Sequence, residues 1–183
     1  MARNLILLYV ATTVGTVLLQ LALGAELGPL VQLAGRWTAG GLSADLALGV
    51  GVGVAVVLTL RWAAGHQRWA QRMDADFREM VAPLEPRDAF GLAAMSALAE
   101  ELLFRGLLQP RIGLVAVSLV FGLLHLPNTR SRLPWPIMAV VMGFVFGGLF
   151  EWRGNLVVPV TAHFVINYFN LHDLLRPLLP EEA

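Results

Sequence analysis

Residues 89–106 read AFGLAAMSALAEELLFRG, an apolar stretch interrupted by Glu100, Glu101 and Arg105. Its length suits a helix crossing a hydrocarbon core of about 30 Å. A charge near the bilayer centre costs about 2.5–3.5 kcal/mol on insertion scales, whereas each leucine or phenylalanine contributes only about 0.3–0.6 kcal/mol. The stretch therefore predicts a transmembrane helix whose charged side chains face the interior of a helix bundle, at an intramembrane site.

Helical spacing separates the two acids. Glu101 and Arg105 are four positions apart and share a helix face, whereas Glu100 points about 100° away. We expect Glu101 to pair with Arg105, and Glu100, which has no local counter-charge, to exchange protons with a substrate. The alternative is a buried charge network that only fixes helix packing.

The whole chain has the composition of a membrane protein, since 57% of its 183 residues are hydrophobic and 14% are charged. Apolar blocks cover approximately residues 4–23, 42–60, 88–109, 112–126, 134–150 and 155–175. We predict an all-α fold: a polytopic transmembrane bundle of about six helices. We expect residues 1–183 to form a single integral membrane domain, with residues 88–175 as the core that carries any catalytic site, because the buried ionisable residues lie there.

The polar segment 61–87 separates the second block from the third. Its apolar residues recur at helical spacing, which predicts an interfacial amphipathic helix near 62–82, with a solvated connecting helix as the alternative. Arginines concentrate in this segment and in the other loops of the same side. The positive-inside rule then predicts cytoplasmic termini, in a bacterial inner membrane. The length of the first apolar block favours an uncleaved helix over a cleaved signal peptide.

Composition also excludes several classes of function. The chain has no cysteine, so disulfides, thiolate catalysis and cysteine-bound zinc are absent from its chemistry. Its formal net charge is zero, which gives no basis for nucleic-acid binding.

Further polar residues interrupt later apolar blocks. His125 closes the fourth block four positions after Phe121, and His163 and Asn167 share one face of the sixth. A single intramembrane histidine is often only a hydrogen-bonded packing residue. The two histidines, the asparagine and the acidic pair occur on three separate apolar segments. Their combination predicts that they form a common site.

Three motifs occur in order on successive apolar segments: Glu100-Glu101-x-x-x-Arg105, Phe121-x-x-x-His125 and His163-x-x-x-Asn167. Together they resemble the CPBP family of intramembrane peptidases, also described as CAAX prenyl protease-like or ABI proteins, which includes the type II CAAX prenyl endopeptidases. The resemblance implies that Glu100 and His125 activate water, and that His163 and Asn167 stabilise the oxyanion. It gives supporting roles to Glu101, Arg105 and Phe121.

The resemblance implies a glutamic-type intramembrane endopeptidase that needs no cofactor. The same residues would also suit a zinc-dependent protease, with the metal held by Glu100, His125 and His163 and a fourth position open for water. Without catalysis, they would suit a scaffold or immunity-like protein, or a channel or transporter that uses them as a proton relay.

The expected partners are the lipid bilayer and a membrane-anchored protein or lipidated peptide. Small family members that process C-terminal sorting signals make a myxosortase-like role one expectation, and a CAAX-like terminus is another. The sequence does not specify the oligomeric state. In the predicted topology Glu100 and His163 lie nearer the extracytoplasmic side and His125 nearer the cytoplasmic side. One compact site therefore requires staggered, tilted or irregular helices.

Overall fold

A computed structural model describes residues 1–23, 39–127 and 129–176, and this part of the chain is helical without strands. The α-helices are α1 (Ala2–Ala22), α2 (Ala39–His66), α3 (Arg68–Val81), α4 (Asp88–Glu101), α5 (Gln109–Leu124), α6 (Pro134–Arg153) and α7 (Val157–Leu175). A π-helix, Leu102–Leu108, joins α4 to α5, and a short 3₁₀ helix, Arg130–Arg132, precedes α6. The predicted all-α fold is confirmed. The small residues 24 and 25, which bear on signal-peptide cleavage, lie outside the described residues.

Four helical stretches of the described chain are long and apolar enough to cross a membrane: Ala2–Ala22, Gly41–His66, Asp88–Leu124 and Pro134–Arg153. Large apolar side chains such as Leu8, Leu58, Val115 and Ile137 are exposed on their surfaces. Such surfaces suit contact with lipid. The protein is an integral membrane protein.

The stretch Asp88–Leu124 is divided at Gly113. A straight helix of 37 residues would be about 55 Å long, well beyond the hydrocarbon core of about 30 Å. Gly113 has φ 81° and ψ 163°, a conformation that glycine adopts readily because it lacks a Cβ atom. The third and fourth predicted blocks therefore do form separate helical segments. The part of α5 that follows Gly113 is only about 16 Å long.

The amphipathic helix is α3, and it begins later than predicted. Residues 62–66 continue α2, and Gln67 then has an extended backbone (φ −117°, ψ 122°) before α3 starts at Arg68. Helix α3 is held by contacts with the segment that precedes α6 and with the end of α7. Its Asp76 carboxylate accepts hydrogen bonds from Thr129 and Ser131 ahead of α6, and Arg78 donates to the carbonyl oxygen of Leu174 on α7.

Small residues bring α5 and α6 close together. A Cβ atom at Gly143 would lie 2.9 Å from the Cα atom of Ser118, and one at Gly147 would overlap the side chains of Leu114 and Gln109. The Gly143-x-x-x-Gly147 stripe therefore serves packing within the bundle. Helix α7 packs mainly on α2 and α4, which makes it an inner helix of the fold.

Candidate active site

The centre of the site is an ion pair between Glu101, the last residue of α4, and Arg105 in the π-helix. The side chains are 0% and 1% exposed, and Arg105 Nη1 donates to Glu101 Oε1 over 3.2 Å. The Nε atom lies 3.1 Å from Oε2, at an angle that does not make a second hydrogen bond. The pair predicted from the four-residue spacing is present, and each charge balances the other in a buried environment.

Aromatic rings surround the Arg105 guanidinium. Its central carbon lies 4.9 Å from the ring centre of Phe121, 5.5 Å from that of Phe146 and 5.9 Å from that of Phe104. Nη2 donates to the carbonyl oxygen of Gly143 over 3.3 Å. Cation–π contacts and this hydrogen bond stabilise the buried charge, and Phe121 makes the shortest of these ring contacts.

His163 connects the two glutamates. Its Nδ1 atom lies 2.7 Å from Oε1 of Glu101 and, because a carboxylate only accepts, Nδ1 carries the hydrogen. The opposite nitrogen, Nε2, lies 3.9 Å from Oε2 of Glu100. The imidazole stacks on Phe146, with ring centres 5.3 Å apart. The ring is therefore held in one orientation, with Nε2 directed towards Glu100.

Glu100 lies on a different face of the helix from Glu101, as the spacing predicted. Its side chain is 19% exposed, and its Oε2 atom is buried without a hydrogen-bond partner among the described residues. A buried acceptor without a partner is rare in native proteins and marks a functional candidate. Of the two acids, Glu100 is thus the candidate for acting on a ligand.

His125 is oriented from the end of α5. Its Nδ1 atom lies 2.6 Å from the carbonyl oxygen of Phe121, which only accepts, so Nε2 of the neutral ring is the nitrogen able to take a proton. Phe121 and Trp135 fix the ring, with centres 4.5 Å and 5.1 Å away. No contact joins His125 to Glu100 within the described residues. The Phe121 ring neighbours both histidines and lies 6.4 Å from that of His163.

Asn167 lies one turn after His163 and is held by α4. Its Nδ2 atom donates to the hydroxyl oxygen of Ser96 over 3.0 Å, and that hydroxyl donates to the carbonyl oxygen of Ala93 over 3.2 Å. The sequence interpretation missed Ser96. Its position one helical turn before Glu100 is the signal that would have found it.

A largely apolar cavity of about 460 Å³ lies between α2, α5, α6 and α7. His125, His163, Asn167 and Phe121 line it, whereas Glu100, Glu101 and Arg105 do not. The sequence interpretation also missed Asn170, which lines the cavity. The His125 and His163 rings therefore face one chamber despite their different predicted depths.

The residues named for zinc do not converge. Zinc needs donor atoms about 2.0–2.2 Å from the metal, which brings its ligands within about 4 Å of one another. Only the Glu100 and His163 atoms are that close, at 3.9 Å, and no group of three such side chains in the described residues is arranged to hold a metal. As arranged, Glu100, His125 and His163 do not fit a three-ligand zinc site.

Comparisons with known proteins identify the segment that carries this site. Residues 84–169 match the family described as type II CAAX prenyl endopeptidase Rce1-like. The chain is also 47% identical over 76 residues to the uncharacterized protein YpbD of Bacillus subtilis (strain 168). That match covers 42% of this chain and 40% of the relative, and no solved structure matches. Residues 84–169, which carry this site and make up just under half of the chain, are thus similar to the Rce1-like family of type II CAAX prenyl endopeptidases.

Proposed function

We propose that this protein is an intramembrane endopeptidase that hydrolyses a peptide bond of a membrane-associated protein by a glutamic-type mechanism. The observation that carries the proposal is the arrangement of His163 between two carboxylates. Glu101 holds Nδ1 at 2.7 Å, and Glu100 lies 3.9 Å from Nε2 with a buried oxygen that has no partner among the described residues. Such a set of oriented proton acceptors and donors suits amide hydrolysis.

In the proposed reaction, a water molecule transfers a proton to Glu100, which acts together with His125, as its oxygen attacks the carbonyl carbon. The carbonyl oxygen becomes an oxyanion, which accepts hydrogen bonds from His163 and Asn167. The protonated base then gives its proton to the nitrogen of the scissile bond as the C–N bond breaks. The products are one new carboxyl group, which keeps the second proton of the water until it ionises, and one new amino group.

The supporting residues have separable tasks in this mechanism. In the proposed mechanism His163 carries a proton on both nitrogens throughout: Nδ1–H donates to Glu101, and Nε2–H donates to the oxyanion. Ser96 orients the Asn167 carboxamide. Arg105 and its aromatic surroundings keep the Glu101 carboxylate in place, and these residues act on the reaction through His163.

The apolar cavity supports a substrate that arrives from the membrane. Its lining is mostly aliphatic and aromatic, with polar groups at His125, His163 and Asn167. Few, well-placed polar groups in an apolar wall are typical of ligand sites. We propose a membrane-anchored protein or lipidated peptide as the substrate class, with a C-terminal sorting signal or a CAAX-like terminus as the specific candidates.

The location is proposed from the arginine distribution. Arg68 and Arg72 are exposed on α3, at the side to which both termini are assigned. The positive-inside rule places that side in the cytoplasm, in a bacterial inner membrane. The mechanism as proposed uses no metal.

A comparison of the membrane and secreted proteomes tests the activity. Cells expressing the wild-type chain should contain shortened membrane proteins with new termini, which cells expressing Glu100→Gln lack. Equal amounts of both chains in the membrane provide the control for expression. Identical protein termini in the two strains would contradict the proposed function.

A further inference from the structure

A second, smaller cavity adjoins the catalytic one beneath α3. Its volume is about 150 Å³, and four residues line both cavities: Leu60, Trp135, Met138 and Asn170. Because they share these residues, the two spaces are neighbouring compartments of one cleft. The smaller compartment continues from the catalytic chamber towards the amphipathic helix.

Helix α3 supplies the outer wall of the smaller compartment. Trp69, Met73 and Phe77 line it, and the Phe77 ring meets the Trp135 ring edge to face at 5.0 Å. Trp135 in turn contacts His125, with ring centres 5.1 Å apart. The compartment is lined mostly by apolar residues, with the charged side chains Arg61, Asp74 and Asp173 also in its wall. Trp135 connects it to a histidine of the catalytic chamber. A space of about 150 Å³ with a mostly apolar lining accommodates a benzene-sized group.

Asn170 is the polar group at the junction of the two compartments. It continues the face of α7 that carries His163 and Asn167, and its carboxamide is partly buried without a hydrogen bond to any described residue. A carboxamide both donates and accepts, which matches the main chain of an extended peptide. From His163 to Asn170 the helix rises about 10 Å, the length of about three residues of extended chain.

Resting on the proposed function, we infer that the smaller compartment is a specificity subsite for the substrate polypeptide. It receives one large apolar side chain of the residue about three positions from the scissile bond. Asn170 binds the main chain of that residue, and the walls from α3 and α6 select the size of its side chain. The continuity of the two compartments makes an extended segment of the same substrate the occupant.

The experiment uses the full-length protein in lipid nanodiscs and a peptide pool made by partial digestion of bacterial membrane proteins. Mass spectrometry of the new termini gives the residue preference at each position. The wild type should enrich large apolar residues about three positions from the cut. Met73→Trp fills the compartment and should shift this preference to small residues, whereas Met73→Ala should shift it to larger ones. Ala75→Trp, on the exposed side of α3, is the matched control.

A second measurement addresses Asn170. Asn170→Ala should raise KM for a cleaved peptide from this pool about tenfold with little change in kcat, because a binding contact is lost rather than a reacting group. Thermal unfolding should show that each variant is folded. The subsite would be overturned if both Met73 variants kept the wild-type preference and Asn170→Ala kept the wild-type KM. If cleavage still depended on Glu100 in that case, the proposed function would stand. No cleavage by the wild type would contradict both.

Discussion

The Nδ1 atom of His163 lies 2.7 Å from Oε1 of Glu101, and this contact joins α7 to the buried ion pair at the end of α4. The hydrogen bond fixes the tautomer and the orientation of the imidazole. It thereby leaves Nε2 as the nitrogen that faces Glu100, 3.9 Å away. Glu101 and His163 belong to motifs that are 62 residues apart in sequence, and this hydrogen bond brings the two motifs into one site.

Removing the charge of Glu101 should destabilise the fold as well as the site. Glu101→Gln leaves the Arg105 guanidinium buried without its counter-charge, a change that costs about 3–5 kcal/mol in comparable buried pairs. Thermal unfolding in detergent measures it, with Glu79→Gln on the exposed face of α3 as the control. Equal unfolding temperatures for both variants would show that the ion pair does not support the structure.

The Ser96 hydroxyl should matter for the rate of reaction more than for substrate binding. Ser96→Ala removes the acceptor that orients Asn167 and should lower kcat about tenfold with little change in KM, whereas Asn167→Leu removes the donor itself and should lower kcat about 10²–10³-fold. Steady-state kinetics on a cleaved peptide measure both. Ser118→Ala is the control, since that hydroxyl donates to Leu114 within its own helix. A normal kcat in Asn167→Leu would remove Asn167 from the oxyanion site.

Sequence alone predicted much of the fold and the pairing within each motif. The spacing of apolar residues and the hydropathy depend only on residues close together in the sequence. They were therefore sufficient to locate the apolar helices, the amphipathic helix and the Glu101–Arg105 pair. The end of α2 was misjudged because residues 62–66 fit both an amphipathic helix and the continuation of α2. Only the backbone at Gln67 separates them.

The relations between helices could not be predicted in the same way. The hydrogen bonds from His163 to Glu101 and from Asn167 to Ser96 depend on how α7 packs against α4. The apparent conflict over the depth of His125 arose from treating the fourth block as a full membrane span. The helical segment after Gly113 is only about 16 Å long, and His125 and His163 line one cavity.

The glycine stripe on α6 provides a test of the packing. Gly143→Ala places a Cβ atom 2.9 Å from the Ser118 backbone and should destabilise the protein by about 1–3 kcal/mol, as overpacking does. Gly148→Ala is the matched control, because nothing lies within 4 Å of the added atom. Thermal unfolding compares the two variants. A Gly143→Ala protein as stable as Gly148→Ala would contradict the close contact of α5 and α6.

Metal content is expected to be low. The Glu100, His125 and His163 side chains do not converge on a single point, so we expect purified protein to contain less than stoichiometric zinc and to keep its activity in the presence of a chelator. Elemental analysis together with peptide cleavage provides the measurement. Stoichiometric zinc that is lost together with activity, and restores it when added back, would favour the zinc-dependent alternative.

The most direct test of the central claim is the rate of peptide cleavage by purified Glu100→Gln in lipid nanodiscs. The amide keeps the size of the side chain but cannot accept the proton of water, so we predict a loss of about 10²–10⁴-fold in kcat. Its unfolding temperature should remain close to that of the wild type, and Glu79→Gln should cleave normally. Cleavage at the wild-type rate by folded Glu100→Gln would contradict the assignment of Glu100 as the catalytic base.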